Sequence, residues 1–241
     1  MNVNDIKRLV EYFASKDQSG GNASPVIFSD LLLVQAQIEF IRLRLGLPQS
    51  YESWRNPYSK ISYESTLKIS EDLAPLKKTV SLVIDSVGLT NRPTDIFYPV
   101  ALRHSYTKTI LDSCGEETTE NCETTVEVVD EDEYGTRLCA AIKKPTKTFP
   151  IVKFDATTFQ FAPKDLATAT FTYIKIPVKP KWAFTLDAND NEIYDAINSV
   201  QLSIPENNHL EICRIILGYV GVSIKDNEII QIAEMGKTKG I

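Results

Sequence analysis

The chain has 241 residues, 26 basic and 32 acidic side chains for a net charge of −6, and 43% hydrophobic residues. That balance fits a folded globular protein and excludes disordered and collagen-like chains; at this length folding buries roughly 70% of the unfolded surface, so a core needs no metal or disulfide to support it. The longest near-apolar stretch, Asp30 to Leu47, is broken by Gln35, Gln37, Glu39, Arg42 and Arg44, which rules it out as a transmembrane helix. Met1 to Asp5 has no basic run leading into an apolar one, so no secretion signal is expected.

In chain order, Asn4 or Asp5 is expected to cap a first helix with Ile6, Leu9, Val10 and Phe13 on its inner face. Asp17 to Ser24 reads as a linker before Pro25. Ser29 is expected to cap a second helix ending near Leu45, with Gly46 as its stop and Pro48 beyond. Leu31 to Val34 make its start apolar on nearly every side; further on, Ile38, Ile41 and Leu45 form the stripe, with Phe40 and Leu43 beside it. Such a helix needs cover on more than one face.

Residues 48 to 64 are rich in Tyr, Ser, Asn and Pro and read as an irregular arm. Its Tyr51, Trp54 and Tyr58 are interface candidates, as is Trp182 further on, because large amphipathic rings anchor contacts between proteins. The centre is mostly β: strands are expected at 79–84, 100–107, 124–129, 149–154, 158–161 and 170–176, the last two-strand turn falling at Asp155 to Thr157. Asp130 is expected to cap a short helix near 131–142 with Tyr134, Leu138 and Ile142 stacked. A helix opening at Pro205-Glu206 carries Leu210, Cys213, Ile216, Leu217 and Val220 and is expected to stop at Gly221, before a last helix with Ile229, Ile232 and Ala233 inward. The expected fold is α+β. N- and C-terminal helices pack together and flank a β-rich, sandwich-like central domain, with segments 1–47, 48–180 and 181–241.

Ten of the 32 acids and none of the 26 bases fall between Asp112 and Glu133. Glu116, Glu117, Glu120 and Glu123 lie in the middle of this run, which reads as a solvated acidic loop. An acidic protein without clustered Lys or Arg is not a general nucleic-acid binder. Cys114, Cys122, Cys139 and Cys213 are too few for a disulfide scaffold; Cys114 and Cys122 are able to pair under oxidation, while Cys139 and Cys213 sit on apolar helical faces and read as buried. His104 and His209 are far apart and no C-x2-C occurs, so no metal site is expected. His209 is expected to be exposed in the first turn of its helix, and both histidines read as structural. The chain contains no phosphate-binding glycine loop, nucleophile elbow or H-E-x-x-H. No catalytic residue, cofactor or enzyme activity is expected.

Several stretches together resemble a known family: Asn91-Arg-Pro-Thr-Asp-Ile-Phe-Tyr-Pro99; Asp130-Glu-Asp-Glu-Tyr-Gly-Thr-Arg-Leu138 leading into Lys144-Pro-Thr-Lys-Thr-Phe-Pro150; Phe171-Thr-Tyr-Ile-Lys-Ile-Pro177 with Lys181-Trp182; and Ile215-Ile-Leu-Gly-Tyr-Val-Gly-Val-Ser-Ile224. In that order, over roughly residues 25 to 241, the chain resembles neck or tail ring proteins of crAss-like tailed bacteriophages of Bacteroidetes. The resemblance implies a structural virion component, assembled in the host cytoplasm. It implies a homo-oligomeric ring, commonly twelvefold, stacked between the portal protein and neighbouring neck or tail rings. Genomic DNA would pass through the ring without specific binding, and no membrane or cofactor would be involved. In such a ring the carboxylates of the acidic run are expected to face the bore in preference to the outer rim. The readings set against this are a monomeric glycan- or protein-binding module using the aromatic arm, and a cell-wall hydrolase using a carboxylate pair.

Overall fold

The computed structural model describes residues 1–14, 25–46, 63–111, 117–189 and 192–224. The fold is α+β, with helices towards both ends of the chain and β-structure between them. Two compact units emerge: Met1–Leu76 together with Pro177–Ile241, and Lys77–Ile176. The helical unit therefore reaches further into the chain than residue 47.

In the helical unit, α1 (Val3–Ala14) opens with a reciprocal cap. The Asp5 backbone N–H donates to Asn2 Oδ1, and the Asn2 N–H donates to Asp5 Oδ2, both at 2.9 Å. Asn2, not Asn4 or Asp5, is thus the cap, because a capping box places its acid three residues inside the helix. Val3, Ile6, Val10 and Ala14 are buried while Phe13 is exposed, a stripe rotated away from the expected one by that earlier start.

The second helix begins at Pro25 rather than after Ser29. It runs through α2 (Pro25–Ile27), a π-helical turn (Phe28–Leu32) and α3 (Leu33–Arg44). Proline suits a first helical position. Ser29 lies inside the π-turn, buried, and its Oγ accepts the backbone N–H of Trp182 at 3.0 Å. The wider turn also rephases the helix: Leu33, Ala36, Gln37, Phe40 and Ile41 are buried, whereas Leu31 is exposed. Buried Gln37 is satisfied at both ends, donating to the Val178 carbonyl at 3.0 Å and accepting from the Ser203 N–H at 3.1 Å. Gly46, at φ +64°, ends the helix as expected.

Two further helices belong to this unit among the described residues: α4 (Tyr63–Asp72), in a stretch for which no helix was expected, and α6 (His209–Ile224), which α1 and α3 both pack against. α6 continues through Gly221, since one internal glycine costs only about 1 kcal/mol. A small hairpin of β9 (Phe184–Leu186) and β10 (Glu192–Tyr194) also belongs here and carries no strong strand pattern in sequence.

The β unit holds two four-stranded sheets. One has the order β1 (Lys77–Val83), β8 (Thr168–Lys175), β3 (Ile96–Leu111), β4 (Glu117–Thr125), all antiparallel. The other has the order β2 (Leu89–Asn91), β7 (Thr158–Ala162), β6 (Ile151–Phe154), β5 (Glu127–Val128), with β5 parallel to β6. Both sheets feed one core in which Leu82, Leu102, Phe171 and Tyr173 from the first meet Val152, Phe159 and Phe161 from the second. Chain reversal before β2 needs Gly88 at φ +89°, where a Cβ would come within 2.8 Å of the Phe161 carbonyl oxygen.

The short helix is α5 (Glu131–Cys139), entered from Asp130 as expected. Tyr134 is buried and donates to the Phe161 carbonyl at 3.1 Å. The expected stack does not continue: α5 ends before Ile142, which is 97% exposed, and Leu138 and Cys139 are also exposed. One aromatic anchor holds this short helix, leaving the rest of its expected apolar face in solvent.

Candidate functional site

The polar groups most often recruited for chemistry are structural in this molecule. His209 is buried, against expectation, with Nδ1 2.8 Å from the Met1 carbonyl and Nε2 3.0 Å from that of Ile204. His104, on β3, is buried with Nδ1 2.8 Å from the Thr168 carbonyl. Cys213 is buried in α6 as expected, and burial pushes its thiol up to about 11, away from the thiolate a nucleophile needs. Buried Asp72 lies 2.8 Å from Arg44 Nε and accepts from Asn208 at 2.7 Å, while Arg44 Nη2 reaches Glu211 at 2.6 Å. Burial raises the Glu211 carboxyl above its ordinary range, with Arg44 opposing that shift. This network ties α3, α4 and α6 together around one guanidinium. Among the described residues, no group of three or more His, Cys, Asp or Glu is placed to hold a metal ion, and no helix is long and apolar enough to cross a membrane.

Trp182 is a core residue of the helical unit, only 4% exposed. Its indole N–H donates to Asn4 Oδ1 at 3.2 Å, Lys7 Nζ sits 4.2 Å over its ring, and Phe184 and Tyr194 stack beside it. The interface candidate Trp182 is therefore corrected to a packed residue: the loop through Pro180 folds it in against α1 and the π-turn. Tyr51, Trp54, Tyr58 and Glu116 lie outside the described residues, as do Cys114 and the last expected helix.

The remaining site candidates come together on β4. Glu117, Glu120 and Glu123 are exposed, but on a strand rather than a loop. β4 pairs with β3 from Arg103↔Thr125 to Leu111↔Glu117, whereas β8 leaves β3 at Arg103↔Thr170. Past that point β3 and β4 form a two-stranded ribbon eight residue steps long, about 27 Å at strand rise. Among the described residues, β4 has no strand on its outer side, and neither does β3 past Arg103.

Alternation divides the ribbon's faces. Glu117, Thr119, Asn121 and Glu123 share one with Ser105, Thr107 and Thr109, and the register adds Leu111 opposite Glu117 at its far end. The other continues the side on which His104 is buried and carries Tyr106, Ile110 and Cys122, all partly buried, with Lys108 opposite Glu120. Arg103 approaches Glu123 at 3.6 Å.

The loop from α5 to β6 has the opposite character. Lys143, Lys144 and Lys147 are exposed, as are Ile142 and Phe149, at 97% and 76%. Pro145 and Pro150 are buried, Thr146 and Phe149 exchange backbone hydrogen bonds at 3.1 and 3.2 Å, and Lys147 pairs with Asp165 at 3.0 Å. The loop is therefore a held shape. Ala140, Ala141, Ile142 and Lys143 line a depression of about 500 Å³ at its start, with Arg137 on the wall. Sequence reasoning passed over this surface; the signal available was Ile142-Lys-Lys144 next to Phe149, apolar and basic together.

No protein-family model matches the chain, and no curated protein matches it at a significant level.

Proposed function

We propose that the chain is a structural subunit of a homo-oligomeric ring in the neck of a tailed bacteriophage. The ring joins the portal to the tail and surrounds the channel through which DNA leaves. The observation that carries this is the β3–β4 ribbon, which extends about 27 Å beyond its sheet and, among the described residues, has no neighbouring strand on either edge. A monomeric protein has reason to blunt such an edge, because it templates further pairing. A subunit that builds a ring can use such an edge as one of its two contact surfaces. The resemblance in sequence supplies the setting, and its stretches fall mainly on β2–β3, α5 with the loop after it, β8 and α6.

The test is solution mass and particle imaging. Purified chain, alone or with portal protein, should give closed rings with a central bore, about twelve copies each. A chain that stays monomeric alone and with portal, and is missing from the neck of the particle, overturns the proposal.

A further inference from the structure

We propose that the ring closes because the β3–β4 ribbon of one copy docks on the α5–β6 loop of the next copy. This rests on the ring reading above and adds the two surfaces that meet.

The ribbon is incomplete by itself. Two strands alone are marginal in water and need a third strand or a packed face. Tyr106, Ile110 and Cys122 make an apolar stripe along one side of it, around the Lys108–Glu120 pair, and past Arg103 no further strand among the described residues joins the sheet there. Three carboxylates line β4, Glu120 on the striped face opposite Lys108 and Glu117 and Glu123 on the other face, where Arg103 approaches Glu123, so a partner reaches all three only by gripping the strand from its edge.

The loop offers what that surface lacks. Ile142 and Phe149 provide apolar area, and the 500 Å³ depression beside Ala140 and Ala141 gives a recess for a side chain. Lys143 and Lys144 provide exposed positive charge on a backbone fixed by two buried prolines. A single exposed apolar residue is ordinary. Two that flank a lysine pair, in the same β unit as an acidic apolar-striped ribbon, form the complementary half. Two different complementary patches on one chain make a heterologous contact, and such contacts generate rings when the rotation closes. The ribbon carboxylates are then taken to the seam between copies rather than left in the bore.

Charge exchange tests the contact in trans. E117K/E120K gives a chain positive at both surfaces, and K143E/K144E a chain negative at both. Each alone should self-associate at least about tenfold more weakly than the parent, since facing like charges are costly. An equimolar mixture should recover, because every ribbon then meets an oppositely charged loop in an alternating ring. Sedimentation or native mass spectrometry reads all three samples, with circular dichroism melting as the control for folding. Independently of any variant, carbodiimide cross-linking of mixed ¹⁴N and ¹⁵N parent chains should join Lys143 or Lys144 to Glu117, Glu120 or Glu123 between differently labelled copies. Parent rings without those cross-links, or variants that assemble as the parent does, overturn the docking while leaving the ring standing. A parent chain that forms no ring overturns both.

Discussion

Leu31 and Leu33 differ by two residues and, in the structure, by nearly their whole environment: Leu33 is 0% exposed and Leu31 54%. The π-turn between Phe28 and Leu32 sets this phase, with the Leu33 N–H donating to the Phe28 carbonyl. Leu33→Ala removes about three methylene equivalents from a closed core, roughly 2.4 kcal/mol of transfer energy. The cavity left behind brings the loss to about 3–5 kcal/mol. At about 2–4 °C per kcal/mol for a domain of this size, the melting temperature should fall by roughly 6–20 °C. Leu31→Ala, on the same helix and with the same chemistry, should stay within about 0.5 kcal/mol of the parent. Ile216→Ala, 0% exposed on α6, should behave like Leu33→Ala. Thermal melts followed by circular dichroism at 222 nm read all three. Equal losses for Leu31→Ala and Leu33→Ala would refute the placement of Leu33 inside the core and Leu31 outside it.

Three further outcomes follow from the polar groups. Arg44→Met strands the buried Asp72 carboxylate and should cost about 3–5 kcal/mol in urea unfolding, with Arg44→Lys intermediate; an unchanged midpoint removes the network from the account of stability. Hydrogen bonds from Lys78 and Tyr173 hold the Asp95 carboxyl below its ordinary 3.8, so its stabilisation is present above that value and is lost as pH falls through the folded-state value. Asp95→Asn should therefore be less stable than the parent at pH 7, and the two unfolding curves should converge in acid; a gap constant with pH contradicts the linkage. Iodoacetamide should modify exposed Cys139 in the folded chain and reach Cys213 only on unfolding, read by peptide mass spectrometry, and equal rates at the two thiols contradict the burial of α6.

The helical unit was legible where a local signal coincided with the packing: Ile6 and Val10 inward on α1, Gly46 as a stop, Cys213 and Ile216 inside α6. It was illegible where a distant partner decided the matter. Ser29 looks like a helix cap because serine is a good one, yet its hydroxyl serves the Trp182 backbone 153 residues away. Trp182 in turn looks like an interface ring until Asn4, Lys7 and Ser29 are brought to it by α1 and the π-turn. Phe40 looked peripheral and is fully buried, since an inserted π-turn shifts every later residue around the helix axis.

The acidic run shows how the candidate site escaped the sequence. A strand half-buried in a sheet announces itself by alternation, because one face must be apolar. Glu117 to Thr125 has no such alternation, since most of the strand is exposed on both faces, and charge was then the stronger signal. Yet threonine is a good strand residue, and the segment carries four of them, each facing β3 in register: Thr118 with Ile110, Thr119 with Thr109, Thr124 with His104 and Thr125 with Arg103. The information that separates strand from loop sits in the partner, β3, whose Tyr106 and Ile110 fall on the side that holds His104 in the core. A sixteen-residue strand continuing past its sheet is the feature to look for. Where its apolar period outlasts the neighbours that cover it, the covering surface has to come from elsewhere, and the Ile142 to Phe149 loop carries the matching charge and apolar area on the same chain.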